Sequence, residues 1–139
     1  MNKNYALITG STAGIGLEIA QELASRGHNI LLTARREDRL RDIAQQLIAD
    51  HGVHADYVVA DLGDVGAPGV IFNFCASNEY VVNILVNNAG YSINKKFHET
   101  GEEEEEKFLR VLGLGVIALT KRFIPGMLQQ KSGKIMLVS

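Results

Sequence analysis

The feature that most constrains this chain is a glycine-rich turn, Thr9-Gly10-Ser11-Thr12-Ala13-Gly14-Ile15-Gly16, set between an apolar run and an amphipathic one. Tyr5–Thr9 reads as a short buried strand. Ile15–Arg26 reads as a helix, with Ile15, Ile19, Leu23 and Ala24 on one face and Gly27 closing it. Each glycine between them has a physical task. Gly10 supplies backbone angles that a side chain would forbid, so the chain turns sharply. Gly14 leaves room for a diphosphate to approach, and Gly16 lets the helix lie close against a sheet. The N–H groups at the start of the helix then face the anion with the helix dipole behind them. The expected contacts in this turn are Gly10, Ser11, Thr12, Gly14, Ile15 and Gly16. A kinase-type phosphate loop is excluded, because no Gly-Lys-Ser/Thr follows.

The rest of the chain repeats the alternation. Asn29–Ala34 is predicted as a second strand. Glu37–Asp50 is predicted as a helix, its Leu40, Ile43, Ala44, Leu47 and Ile48 falling at helical spacing. His54–Ala60 is a third strand, Gly63–Gly69 is turn-rich, and a short helix follows with Val70, Ile71, Phe74 and Cys75 inward. Val82–Asn87 is a fourth strand. A long helix is expected from Thr100 to about Met127. Thr100 and Glu103 have capping-box spacing, and Glu102–Glu106 place negative charge at the positive end of the dipole. Within it Phe108, Leu112, Gly115 and Leu119 read as one core-facing stripe. Ile135–Val138 is a fifth strand. Strands joined through helices are parallel, so the pattern predicts an α/β fold with a doubly wound parallel sheet in one domain over 1–139.

Composition narrows the partners. Of 139 residues, 46% are hydrophobic and 22% charged, and the net charge is −2 with both signs interspersed, so no basic surface for nucleic acid is expected. No membrane span is expected either. The longest apolar stretch, Val111–Thr120, lies between Arg110 and Lys121 and is about half of the ~20 residues required. The one cysteine, Cys75, sits among apolar residues and excludes an internal disulfide, which suits a cytoplasmic protein.

Several motifs together resemble the short-chain dehydrogenase/reductase family. Thr9–Gly16 is similar to its T-G-x-x-x-G-I-G cofactor turn, and Asn87-Asn88-Ala89-Gly90 to the motif that ends its fourth strand. Asp61-Leu62, Pro125-Gly126-Met127 and Gly133 fall in register. The resemblance covers the whole chain and implies a Rossmann fold, truncated here after the fifth strand. It also implies a nicotinamide dinucleotide, a small-molecule carbonyl or alcohol substrate and a homo-oligomeric parent. On this reading the Asp61 carboxylate accepts from the adenine amino group, and Leu62 walls the ring. Asn88 faces the adenosine ribose, while Ala89 and Gly90 leave room for the cofactor. Asn87 is read as structural, tying strand 4 to its neighbours.

The end of the second strand chooses the cofactor. An acidic residue there would suit a ribose 2′-hydroxyl. This chain has Ala34-Arg35-Arg36, and guanidinium groups suit a 2′-phosphate. The expectation is therefore NADP over NAD, carried by Arg35 and Arg36 alone, since Ala13 stands where some NADP-dependent members have another basic residue.

No catalytic residue is expected within 1–139. The resemblance places the proton-transferring tyrosine and its lysine in a helix after strand 5, and it places the catalytic serine one residue beyond Ser139. The family's relay asparagine falls on Leu112. The chain thus reads as the cofactor-binding part of an NADP-dependent oxidoreductase, inactive on its own. The alternative is a non-catalytic NADP-binding or regulatory module.

Overall fold

The computed structural model describes residues 3–139. Its elements alternate as the sequence pattern requires: β1 (Asn4–Thr9), α1 (Gly14–Ser25), β2 (Asn29–Ala34), α2 (Glu37–His51), β3 (Ala55–Val59), α3 (Ala67–Ser77), β4 (Val81–Asn87), α4 (Glu102–Leu109), α5 (Gly115–Gln130) and β5 (Lys134–Leu137). All strand pairs are parallel, in the order β3-β2-β1-β4-β5. The chain runs outward from β1 to β3 and then crosses back to β4 beside β1. Beyond the carboxyl ends of β1 and β4 the helices leave on opposite faces and a crevice opens.

The inner strands β1 and β2 are apolar on both sides because helices cover both sides, whereas β5 is exposed along its length. Ala6, Ile8, Ile30 and Leu32 pack under α1 and α2 against Ala20, Ala24, Leu40, Ala44 and Leu47. Leu7, Leu31 and Leu85 point the other way, against Ile71 and Cys75 of α3 and Leu119, Phe123 and Met127 of α5. Burial pushes the Cys75 thiol up to about 12, so it stays protonated inside this layer.

Three local expectations are corrected. Val70 is exposed; α3 instead turns Ala67, Pro68, Ile71 and Cys75 inward. The Thr100–Glu103 capping box does not form. Gly101 is the N-cap residue of α4, while the Thr100 hydroxyl donates to the Phe97 carbonyl at 2.7 Å and bonds the Glu105 carboxylate. The long helix is also not uniform, because Arg110–Leu114 forms a π-helical turn between α4 and α5. Gly115 follows it directly, and a Cβ there would stand 2.7 Å from the Arg110 carbonyl oxygen and 3.4 Å from that of Leu62. A side chain at this position would push the helix off the loop after β3. The whole run Glu102–Gln130 is long and apolar enough to cross a membrane by length and composition alone. Here it lies on the sheet through Val111, Gly115, Leu119, Phe123 and Met127.

Candidate nucleotide site

A groove of about 430 Å³ occupies the crevice. Its first wall is the glycine turn, through Gly10, Thr12, Ala13 and Ile15. The end of β2 adds Thr33, Ala34, Arg35 and Arg36, and the segment after β3 adds Ala60, Asp61 and Leu62. Asn88, Ala89, Gly90 and Tyr91 follow β4, and Val111 of the π turn closes the far side. Most of the residues singled out from the sequence therefore line one cavity, although they come from four separate chain segments.

The glycine turn is fastened from both sides. The Thr9 hydroxyl oxygen accepts from the backbone N–H groups of Asn88 and Ala89, both at 2.9 Å. The Asn88 amide donates back to the carbonyls of Thr9 at 3.2 Å and Gly10 at 3.1 Å. On the other flank the Gly10 N–H donates to the Thr33 carbonyl at 3.0 Å. Gly10 has φ +62°, and a Cβ there would meet the Ala89 Cα at 2.8 Å; both facts require glycine. At Gly16 a Cβ would meet the Asn88 amide at 2.4 Å and the Gly10 carbonyl at 2.5 Å. Gly16 thus fits α1 against the turn and the β4 end.

Some expected contacts take other roles. Ser11 is fully buried and outside the groove, its hydroxyl donating to the Thr33 carbonyl at 3.4 Å. Gly16 lies beneath Asn88, also away from the groove surface. Gly14, at φ +56°, has no described atom within 4 Å of where a Cβ would stand, so its surroundings are open. Ile15 is 61% exposed, and it borders the groove and not the core. The Asn88 side chain is turned into the glycine turn as a brace. Asp61 is engaged as a turn residue, its Oδ1 accepting from the Gly63 N–H at 2.8 Å. Leu62 is buried in the core while one edge reaches the groove wall. Asn87 ties β4 to its neighbours: its amide donates to the Thr120 hydroxyl at 3.2 Å, and its carbonyl accepts from the Val138 N–H at 3.0 Å.

Leu112 is not core. It is 44% exposed on the π turn and leans over Gly90, where a Cβ would come within 3.0 Å of its Cδ2. The π turn holds one residue more than an α turn and so re-aims the side chains within it.

The sequence reading missed Ala13, Thr33, Ala34, Ala60, Tyr91 and Val111 as lining residues, since none carries a motif signal. It also missed Arg39, whose Nη2 donates to the Thr12 carbonyl at 2.9 Å. The Tyr-x-x-x-Lys spacing does occur once, at Tyr91 and Lys95. These two lie in the irregular segment before α4 and share no helix face. Tyr91 packs edge-on against Phe108, and the Lys95 ammonium is held by Glu104 at 2.9 Å. Tyr80 lies elsewhere, and burial and its bond to the Asp56 carboxylate at 2.8 Å push its phenol upward, holding it protonated.

The groove suits a phosphate-bearing nucleotide on three counts. The first turn of α1 has no acidic residue, and among the described residues no side chain caps its free N–H groups. Thr33 borders the groove, and its buried hydroxyl has no hydrogen-bond partner among the described residues. Arg35 is exposed and makes no hydrogen bond or ion pair with any described residue. Arg36 is exposed too and reaches Asp38 only at 3.5 Å. Together these leave N–H groups and guanidinium groups at one cavity, with an unpaired hydroxyl buried in its wall.

A parallel sheet in this strand order, with a glycine turn at its crossover, is a Rossmann-type α/β domain. The chain belongs to the short chain dehydrogenase family, whose model matches residues 4–139. It is 32% identical over 136 residues to a fatty acyl-CoA reductase of Acinetobacter baylyi, covering 96% of this chain and 46% of that protein. It is similar to the L-sorbose reductase of Gluconobacter frateurii, solved with NADPH and L-sorbose, at 32% identity and TM-score 0.91, covering 99% of this chain and 52% of that one. It is also similar to a short-chain dehydrogenase of Sphingobium yanoikuyae solved with NADPH, at 28% identity and TM-score 0.89, covering 96% and 52%. The chain spans about half the length of the relatives it matches.

Proposed function

We propose that the chain forms the cofactor-binding part of an NADP(H)-dependent oxidoreductase, which passes hydride between the nicotinamide and a carbonyl or alcohol carbon. One observation carries the choice of cofactor. Arg35 and Arg36 border the same groove as the glycine turn and Asp61, and no carboxylate stands at Ala34-Arg35-Arg36 to receive a ribose 2′-hydroxyl. Guanidinium groups bind phosphate through paired, charge-assisted bonds. The relatives solved with NADPH support the same reading.

In this role the α1 N-terminus and the open backbone at Gly14 hold the diphosphate. Arg35 and Arg36 hold the 2′-phosphate. The Asp61 carboxylate, with Oδ1 bonded to Gly63, offers its other oxygen to the adenine amino group. When bound, the nicotinamide supplies or accepts the hydride. We assign no residue of 1–139 to proton transfer. The substrate class stays broad, since the relatives named above reduce a fatty acyl-CoA in one case and bind L-sorbose in the other. The test is equilibrium titration of the full-length protein with NADPH and NADH. Tighter binding of NADPH supports the proposal, and equal affinity overturns the cofactor assignment.

A further inference from the structure

Three features stand near the rim of the groove at the start of α2. Arg39 is the third residue of α2, and Arg36 is its N-cap residue. Arg36, with extended backbone, borders the groove from the end of β2, and Arg39 follows it in the first turn of α2. Arg39 also reaches across to the glycine turn, its Nη2 donating to the Thr12 carbonyl at 2.9 Å, and Thr12 itself lines the groove. A guanidinium has five N–H donors, so one bond to a carbonyl leaves further donors on the same planar group. Ala13, next to Thr12, has no charge to offer from the turn.

We infer that Arg39 is a third 2′-phosphate-binding residue, which grips the phosphate from the glycine-turn side while Arg35 and Arg36 grip it from the β2 side. This rests on the NADP(H) reading above. Local charge supports the need for it. Glu37 and Asp38 open α2 and would repel a phosphate, leaving Arg35 and Arg36 only balanced against them. With Arg39 the cluster of three arginines and two acids carries a net charge of +1. The Thr12 bond also fixes the guanidinium before any ligand arrives, which lowers the ordering cost of binding. A basic charge absent from position 13 is thus supplied from another element that touches the neighbouring carbonyl.

The competing account is that Arg39 only braces the turn. A brace shapes the diphosphate end and serves every dinucleotide alike, whereas a phosphate ligand serves only those with the 2′-phosphate. The experiment uses the full-length protein as wild type, Arg39→Ala and Arg39→Lys, titrated by calorimetry with NADPH, NADH, 2′,5′-ADP and ADP. Arg39→Ala is expected to weaken NADPH and 2′,5′-ADP by about tenfold or more, and to leave NADH and ADP within about twofold. Arg39→Lys should recover part of the loss as a point charge without the planar fork. Equal weakening of all four ligands, or no weakening, overturns the inference. Wild-type protein that binds NADH as tightly as NADPH overturns the cofactor reading instead. A preference for NADPH that Arg39→Ala leaves undiminished overturns the Arg39 role alone. Thermal melts of each variant check folding, and Arg39→Lys keeps the test open if Arg39→Ala unfolds.

Discussion

Two helices begin beside the same groove, and they begin differently. The first turn of α1, opening at Gly14, has no acidic residue, and behind it the Thr9 hydroxyl, the Asn88 amide and the Thr33 carbonyl lock the turn. The start of α2 carries Glu37 and Asp38 with Arg35, Arg36 and Arg39 around them, mostly on exposed side chains. Neither start has a side-chain cap, but of the two α1 alone also lacks acidic residues against its dipole, which leaves its N–H groups suited to an anion. At α2 the dipole is already matched by acids, and the arginines are what a ligand meets. On the proposed reading, the first start serves any diphosphate alike, and the second discriminates between nucleotides through exposed side chains.

That contrast predicts its own largest effect. Thr9→Val keeps the shape of the side chain but leaves the Asn88 and Ala89 N–H groups without their acceptor. Each unsatisfied group costs ~1–3 kcal/mol when buried. The variant should lose stability in chemical denaturation by that order, and it should bind NADPH and NADH worse by similar factors. A variant that lost only NADPH binding would erase the distinction between the two helix starts.

Arg35→Ala should do the reverse. Its charge-assisted bonds to phosphate are worth ~1.5–3 kcal/mol, or roughly 10- to 150-fold in affinity. Titrations should show NADPH weakened by a factor in that range, NADH nearly unchanged and the denaturation midpoint unmoved. Equal loss for both cofactors would make the arginine structural.

The legibility of the two regions follows the same division. The glycine turn could be read because its physics is local: Gly10 needs a positive φ, and Gly16 needs the absence of a Cβ. The strands could be read because burial on both faces leaves uninterrupted apolar runs such as Ala6–Ile8 and Ile30–Leu32. Roles set by partners distant in sequence could not be read. Ser11 looks like an exposed turn hydroxyl until β2 places the Thr33 carbonyl beside it. Asn88 reads as a ribose ligand from its motif, and nothing local shows that its amide nitrogen also braces Thr9 and Gly10. Arg39 looks like one more helix-surface charge, because its partner lies 27 residues away. Leu112 was assigned to the core by a period of 3.6, which a π turn breaks without any residue type that announces it.

Leu112 therefore supplies a smaller prediction. Because the side chain is half-exposed over Gly90, Leu112→Asn places an amide where water can reach it. Its stability cost should stay near the surface range, within about 0.5 kcal/mol, and not reach that of a buried polar substitution. A loss of several kcal/mol by chemical denaturation would return Leu112 to the core and place the π turn in doubt.

The smallest effect is expected at Asp38, and it tests the side-chain character of the α2 start most directly. The backbone N–H of Arg39, and after it the Arg36 guanidinium, hold the Asp38 carboxyl below its ordinary 3.8. A carboxyl whose pKa is lowered by folding adds stability above its unfolded value, and that stability is lost as pH falls through the folded value. The carboxyl is fully solvated, so the contribution is slight; it is present above about pH 4 and is lost only as the pH falls below that. At neutral pH the carboxylate competes with any phosphate for Arg36, from 3.5 Å away. Asp38→Asn removes that competitor and the nearest negative charge. NADPH affinity should rise by no more than about twofold, NADH affinity should not move, and the gain should shrink as salt screens both terms. The asparagine also keeps a side-chain oxygen that can accept from the Arg39 N–H, so the helix start itself should survive. A fall in NADPH affinity would mean that Asp38 orients Arg36 for the phosphate and does not draw it away. The acidic pair at the start of α2 would then belong to the recognition site and not only to the helix.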